Sequence, residues 1–130
     1  MASNPSIDSS LKGARILVVE DEWLASILFA ELLTEFGCEV VGPASSVAEA
    51  VVLASAEAID AALLDLNVKD EVVYPVARTL ADRSIPFVFL TGYAAAVVTD
   101  TYRERPALQK PVTAEKLSKI LKEMLNQSVK

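Results

Sequence analysis

The chain has no histidine, one cysteine, four glycines and no apolar run of membrane-spanning length, and each shortage removes a class of function. Without histidine there is no Ser-His-Asp or Cys-His catalysis and no His-based zinc site. Cys38 has no partner for an internal disulfide and reads as a small buried hydrophobe rather than a redox group. The glycines, at positions 13, 37, 42 and 92, do not build the glycine-rich first turn of a dinucleotide-binding fold. Apolar runs fall well short of the roughly 18 to 20 residues that cross a bilayer. The opening MASNPSIDSS lacks the basic and apolar regions of a signal peptide, so a cytoplasmic location is expected. Basic residues are also scarce, twelve against eighteen acidic for a net charge of −6. That field repels phosphate backbones and anionic membranes, so neither nucleic acid nor membrane is expected as a partner. Carboxylates, hydroxyls, lysine and an oxygen-loving metal are what remain for chemistry.

What is present is apolar side chain in alternating patterns. The 130 residues are 52 % hydrophobic, enough for one domain with a core that needs no staples. Residues 1–13 read as a flexible tail ending at Gly13, and 14–127 as the domain. Ile16 to Val19 is a β-branched run apolar on both faces, the mark of a buried parallel strand. From Trp23 to Phe36 the period becomes helical, with Leu24, Ile27, Leu28, Leu32 and Phe36 as the apolar stripe and Gly37 as the stop. A second strand covers Glu39 to Gly42, ended by Pro43. Ser46 and Glu49 form a capping box for a helix to about Ala56. Ala61 to Asp65 is the third strand, and a helix from about Val72 to Arg83 carries Pro75 in its first turn. Pro86 to Leu90 is the fourth strand, 94–104 a weak short helix, and Ala107 to Gln109 a brief fifth strand. Thr113 caps a last helix with Leu117, Ile120, Leu121, Met124 and Leu125 on one face. Five strands alternating with five helices predict an α/β, doubly wound, mostly parallel sheet.

In such a sheet, ligands bind outside the carboxyl ends of the strands. Strand one ends in Glu20-Asp21, strand three in Asp65, strand four in Thr91 and strand five at Lys110. Singly, each is an ordinary cap or turn residue. Together they put three acids, a hydroxyl and an ammonium on one rim. Two carboxylates about 4 Å apart repel by roughly 4 kcal/mol at an effective dielectric near 20. A divalent cation relieves that repulsion, and an all-oxygen site suits Mg2+. Asp65 can then attack phosphorus as a carboxylate nucleophile, with Lys110 and the Thr91 hydroxyl offsetting the charge of the new group.

The segments Ile16-Leu17-Val18-Val19-Glu20-Asp21-Glu22, Leu63-Leu64-Asp65-Leu66-Asn67, Phe89-Leu90-Thr91-Gly92 and Gln109-Lys110-Pro111 stand in the order and on the elements of the response-regulator receiver family, which the chain resembles. The resemblance implies a flavodoxin-like, CheY-like five-stranded parallel sheet with strand order 2-1-3-4-5. It also implies that Asp65 is the phosphoacceptor and that Asp21 ligates Mg2+, with Glu20 assisting and the Asn67 backbone carbonyl completing the set. Thr91 becomes the switch hydroxyl, Lys110 the lysine that pairs with phosphate, and Lys110-Pro111 a cis bond. Pro86-Phe87-Val88-Phe89-Leu90-Thr91-Gly92-Tyr93 is similar to the PFxFATGY signature of a subgroup of alphaproteobacterial receivers, with Leu90 in place of its alanine. Members are often single-domain proteins served by a sensor histidine kinase, of the HWE type among others, or by a phosphotransfer protein. The implied role is that of a phosphorelay component, not an enzyme. Its output is a downstream protein contact through helix four, strand five and helix five, or service as a phosphate sink.

Departures from the pattern raise alternatives. The aromatic switch position three residues before the lysine is Ala107, so Tyr93 is the replacement, or else an ordinary exposed loop tyrosine. Lys69-Asp70 replaces a glycine-containing turn beside Asp65. A phosphatase of the haloacid dehalogenase type would need an aspartate where Asn67 stands. The rival of another class is a pseudo-receiver that keeps the fold as a protein-binding scaffold and takes no phosphate.

Overall fold

The structure, a computed structural model, describes residues 10–92, 100–102 and 104–129. Strands β1 (Arg15–Val19), β2 (Glu39–Ala44), β3 (Ala61–Asp65), β6 (Phe87–Thr91) and β7 (Ala107–Gln109) form one parallel sheet in the order β2-β1-β3-β6-β7. A small antiparallel ribbon, β4 (Asn67–Val68) and β5 (Glu71–Val72), follows β3. With the ribbon set aside, the sheet order is 2-1-3-4-5, the flavodoxin-like arrangement of the receiver fold.

The apolar strands are buried on both faces because helices cover both. Leu17, Val19, Leu64, Phe87 and Phe89 pack with α2 (Val47–Ala56) and α3 (Tyr74–Asp82). Ile16, Val18, Leu63, Val88 and Leu90 pack with α1 (Trp23–Glu35) and α4 (Ala114–Val129). Consecutive strand residues thus alternate between two cores, which is why the runs read as continuous rather than alternating. Ser46 caps α2 as expected, its hydroxyl accepting from the Glu49 amide at 3.1 Å, while the Glu49 carboxylate reaches the Ser45 amide at 2.8 Å. Thr113 Oγ1 accepts from the Lys116 amide at 3.2 Å and starts α4. Of the expected α4 stripe, Leu117, Leu121, Met124 and Leu125 are buried and Ile120 is partly buried.

Several expectations are corrected. The tail does not extend to Gly13: Leu11 is fully buried, its carbonyl accepts from the Ala14 amide at 3.1 Å, and the Gly13 amide donates to Gly37 at 2.7 Å. Strand β2 does not stop at Gly42 but runs through Pro43 to Ala44, which an edge strand permits because one side of its backbone needs no donor. Gly42 takes φ +91°, and a Cβ there would meet the Ala44 nitrogen at 2.6 Å. The buried face of α1 is Phe29 and Leu33, continued by Phe36, whereas Leu24, Ile27 and Leu28 of the expected stripe are exposed. Helix α3 begins at Tyr74 rather than Val72, because the ribbon takes Glu71 and Val72 first. Of the expected helix over 94–104, a 3-10 turn at Asp100–Tyr102 is seen, and 94–99 and 103 lie outside the described residues. No described helix is long and apolar enough to cross a membrane.

Candidate functional site

The sheet's carboxyl edge gathers the polar residues because β1, β3 and β6 end at one level. Val19 pairs with Leu64 and Asp65 with Leu90, so Glu20, Asp65 and Thr91 emerge side by side. The Lys110 amide donates to the Thr91 carbonyl at 2.7 Å and brings the end of β7 to the same place. Glu20, Asp21 and Asp65 each offer a carboxylate oxygen, and these oxygens lie within 4.8 Å of one another.

One cation faces two of these acids. Lys110 Nζ donates to Glu20 Oε2 at 2.6 Å and to Asp65 Oδ2 at 3.2 Å. Glu20 is only 2 % exposed, and its other oxygen accepts from the Glu22 amide at 3.1 Å. Burial pushes the Glu20 carboxyl above its usual range, against the Lys110 hydrogen bond that pulls it down. For Lys110, burial would lower the ammonium's pKa, but the Glu20 hydrogen bond and the Asp65 charge together carry it above its ordinary value. Asp21 is exposed, and its Oδ2 accepts from the Lys69 backbone amide at 2.8 Å.

The expected residues fall as follows. Glu20, Asp21, Asp65 and Lys110 meet in one cluster, with Thr91 joined to it through the Lys110 amide. Thr91 is itself buried at the end of β6. Asn67 opens the ribbon two positions beyond Asp65, paired with Val72. Lys110-Pro111 is cis. Tyr93 lies outside the described residues. The Lys69 amide was not foreseen, because a backbone N–H leaves no mark in a sequence; the Lys69-Asp70 departure was the one available signal.

The donor set fits a hard divalent cation. Three carboxylates against one ammonium leave a surplus of negative charge, and all the donors are oxygens. Beside the cluster runs a groove of about 350 Å³ lined by Leu24, Leu28, Gly92, Lys110, Pro111 and Val112.

Comparison with known proteins matches residues 16–122 to the response regulator receiver domain. The sensor protein TorS of Escherichia coli K12 is 30 % identical over 125 residues, 92 % of this chain but 14 % of that protein. The transcriptional regulatory protein PdtaR of Mycobacterium tuberculosis is 33 % identical over 95 residues, 72 % of this chain and 46 % of its own length. The chain thus spans less than half of either relative. The solution structure of SdrG from Sphingomonas melonis Fr1 superposes with a TM-score of 0.78 at 39 % identity, over 91 % of this chain and 99 % of that one. The receiver domain of the sensor histidine kinase PA1611 from Pseudomonas aeruginosa PAO1, solved with a magnesium ion in its active-site cleft, gives 0.74 at 25 % identity over 88 % and 98 % of the two chains.

Proposed function

Because the chain belongs to the response regulator receiver family of two-component systems, we propose that it takes a phosphoryl group on Asp65 in a Mg2+-dependent reaction. The observation that carries this reading is the convergence of Glu20, Asp21 and Asp65 around one lysine at the end of the sheet. Glu20, Asp21, Asp65 and the Asn67 carbonyl would hold the cation, which when bound neutralises acid charge and shares that of an incoming phosphoryl group.

The chain's own residues supply the rest. A carboxylate oxygen of Asp65 attacks phosphorus as the bond to the donor's imidazole nitrogen breaks, giving an acyl phosphate. Lys110, already 3.2 Å from Asp65, then pairs with the phosphoryl oxygens. The Thr91 hydroxyl, one position beyond Asp65's neighbour Leu90, donates to the same phosphoryl group as the switch contact, with Tyr93 as the ring that follows it in sequence. Catalysis here is positioning and charge stabilisation, not substrate turnover.

The donor is a sensor histidine kinase, the HWE type being the first to try, or a phosphotransfer protein. Likeness to a sensor protein and to a kinase's receiver domain supports that class of partner. So does the exposed apolar surface of Leu24 and Leu28, which line one groove with Lys110 and Gly92 and offer a docking helix an apolar face beside the cluster. Output is a protein contact through the 3-10 turn, β7 and α4, or removal of phosphate from a kinase.

The test is labelling by acetyl phosphate with Mg2+. Wild type is expected to gain one phosphoryl group, detected by intact mass, and Asp65→Asn none while retaining the wild-type circular dichroism spectrum. Labelled Asp65→Asn moves the acceptor elsewhere. Unlabelled wild type, with no spectral response to beryllium fluoride, favours the scaffold reading.

A further inference from the structure

The loop after β3 is built in a way that the phosphoacceptor chemistry does not by itself require. Asn67 pairs with Val72 and Val68 with Glu71, so the ribbon turns on only Lys69 and Asp70. Both have left-handed backbones, φ +49° and +65°, though neither is glycine. This is the sense of turn that matches strand twist in a two-residue hairpin, and it ordinarily wants Asn-Gly. The ribbon's root is fixed: Val68 and Val73 are fully buried, and the Val73 amide donates to the Leu66 carbonyl at 2.9 Å. Its tip crosses to another loop, where the Lys69 amide meets Asp21 Oδ2 at 2.8 Å.

We propose that the Lys69 backbone amide is a positioning group for the Asp21 carboxylate, so that the hairpin 67–72 sets the affinity of the acid cluster for its divalent cation. The inference rests on the metal reading given above. In a two-residue turn the pair flanking it closes the ladder, so the Lys69 amide stands outside the ribbon's own bonding and can serve another group. Asp21 needs such a group. Glu20 is buried and pinned by Lys110 and the Glu22 amide, and Asp65 is held by Lys110, whereas Asp21 is exposed on a loop and would otherwise sample several rotamers. An amide on Oδ2 fixes the carboxylate plane while leaving an oxygen of Asp21 within 4.8 Å of those of Glu20 and Asp65. Groups that orient a metal ligand in this way typically change affinity without touching the metal.

The experiment is calorimetric titration with MgCl2 of wild type, Lys69→Pro, Lys69→Gly, Asp21→Asn and the double variant Lys69→Pro/Asp21→Asn. Proline removes the N–H and cannot take φ +49°. Glycine keeps the amide and the conformation and removes only the ammonium. Lys69→Pro is expected to weaken binding about tenfold or more, the usual effect of losing a ligand-orienting bond. Lys69→Gly stays within about twofold, and Lys69→Pro makes no further difference once Asp21 is asparagine, by the logic of a double-mutant cycle. A second readout needs no metal. In amide exchange by NMR, Asp21→Ala is expected to unprotect the Lys69 amide while leaving that of Val73 unchanged. Magnesium bound equally by wild type and Lys69→Pro, an equal loss in Lys69→Gly, or Lys69 protection indifferent to Asp21 overturns the inference alone. Wild type without magnesium affinity overturns both it and the reading it rests on.

Discussion

At Lys110 the chain places one ammonium between two acids, and the consequence differs for each partner. The Glu20 side chain has no access to water, and the Lys110 hydrogen bond opposes the burial that raises its pKa; Asp65 is partly open, as the proposed acceptor has to be. The lysine's shorter contact is with Glu20, 2.6 Å against 3.2 Å, so the ammonium is anchored more closely on the buried acid than on the proposed phosphoacceptor. Cys38 gives the clearest single-residue expectation. Its thiol is buried, with Sγ 3.4 Å from the Leu11 carbonyl, and desolvation first, then the charge of Asp60, raises its pKa from 9.0 to about 11. Because the folded value lies above the unfolded one, the folded state holds the proton longer. Stability is therefore complete below pH 9.0 and falls as pH rises toward about 11. The full effect is at most about 2 to 3 kcal/mol. Urea unfolding between pH 8 and 11 measures it, and Cys38→Ala is expected to flatten that alkaline limb. An unchanged slope in the variant would assign the limb to other groups.

Elements show where sequence and structure part. Strands β1, β3 and β6 were legible because buried parallel strands are short, β-branched and apolar throughout, and the site acids were legible because each follows such a strand directly. Helix α1 was legible in its span but not in its buried face, because Leu24, Ile27, Leu28, Phe29, Leu32 and Leu33 give it more than one apolar stripe. Periodicity cannot choose between stripes; packing against the sheet does, and it takes Phe29 and Leu33. Of the rejected face, Leu24 at 57 % and Leu28 at 52 % exposed share a groove with Lys110. Leu24→Glu and Leu28→Glu are expected to slow phosphotransfer from a cognate kinase about tenfold or more, the effect of losing an interface anchor. Labelling by acetyl phosphate should stay within about twofold, since that donor needs no docking face. Equal loss with both donors would place the residues in the chemistry instead. The ribbon was hidden because Lys69 is not a residue of such turns by preference and Asp70 stands where glycine is usual. Asp70→Gly is expected to keep the hairpin and relieve its left-handed backbone, adding about 0.5 to 1 kcal/mol. Thermal unfolding should show a rise of a few degrees. A lower Tm would mean that the Asp70 side chain supports the turn.

At the scale of the molecule, two cores share one sheet, and the carboxyl edge is where both cores end and the acids collect. A chain of net charge −6 that sets three of its carboxylates within 4.8 Å of each other holds repulsion there that folding alone does not relieve. A ligand that binds only the folded state stabilises it by mass action, by about 2.7 kcal/mol when present at a hundredfold its Kd. For a domain of this size that is a rise in Tm of roughly 10 °C. Magnesium should therefore raise Tm steadily with concentration, and Asp21→Asn, Asp65→Asn or excess chelator should cancel most of the rise. Part of the attraction comes from the whole field rather than the cluster, so about 1 M sodium chloride, where the screening length is near 3 Å, should weaken the effect without abolishing it. Trp23, immediately after Glu22 and largely exposed, should report the same binding by its fluorescence. A melting temperature indifferent to magnesium in wild type would separate the acid cluster from the metal, leaving Lys110, together with the Glu22 amide on Glu20, to compensate the two acids among the described residues.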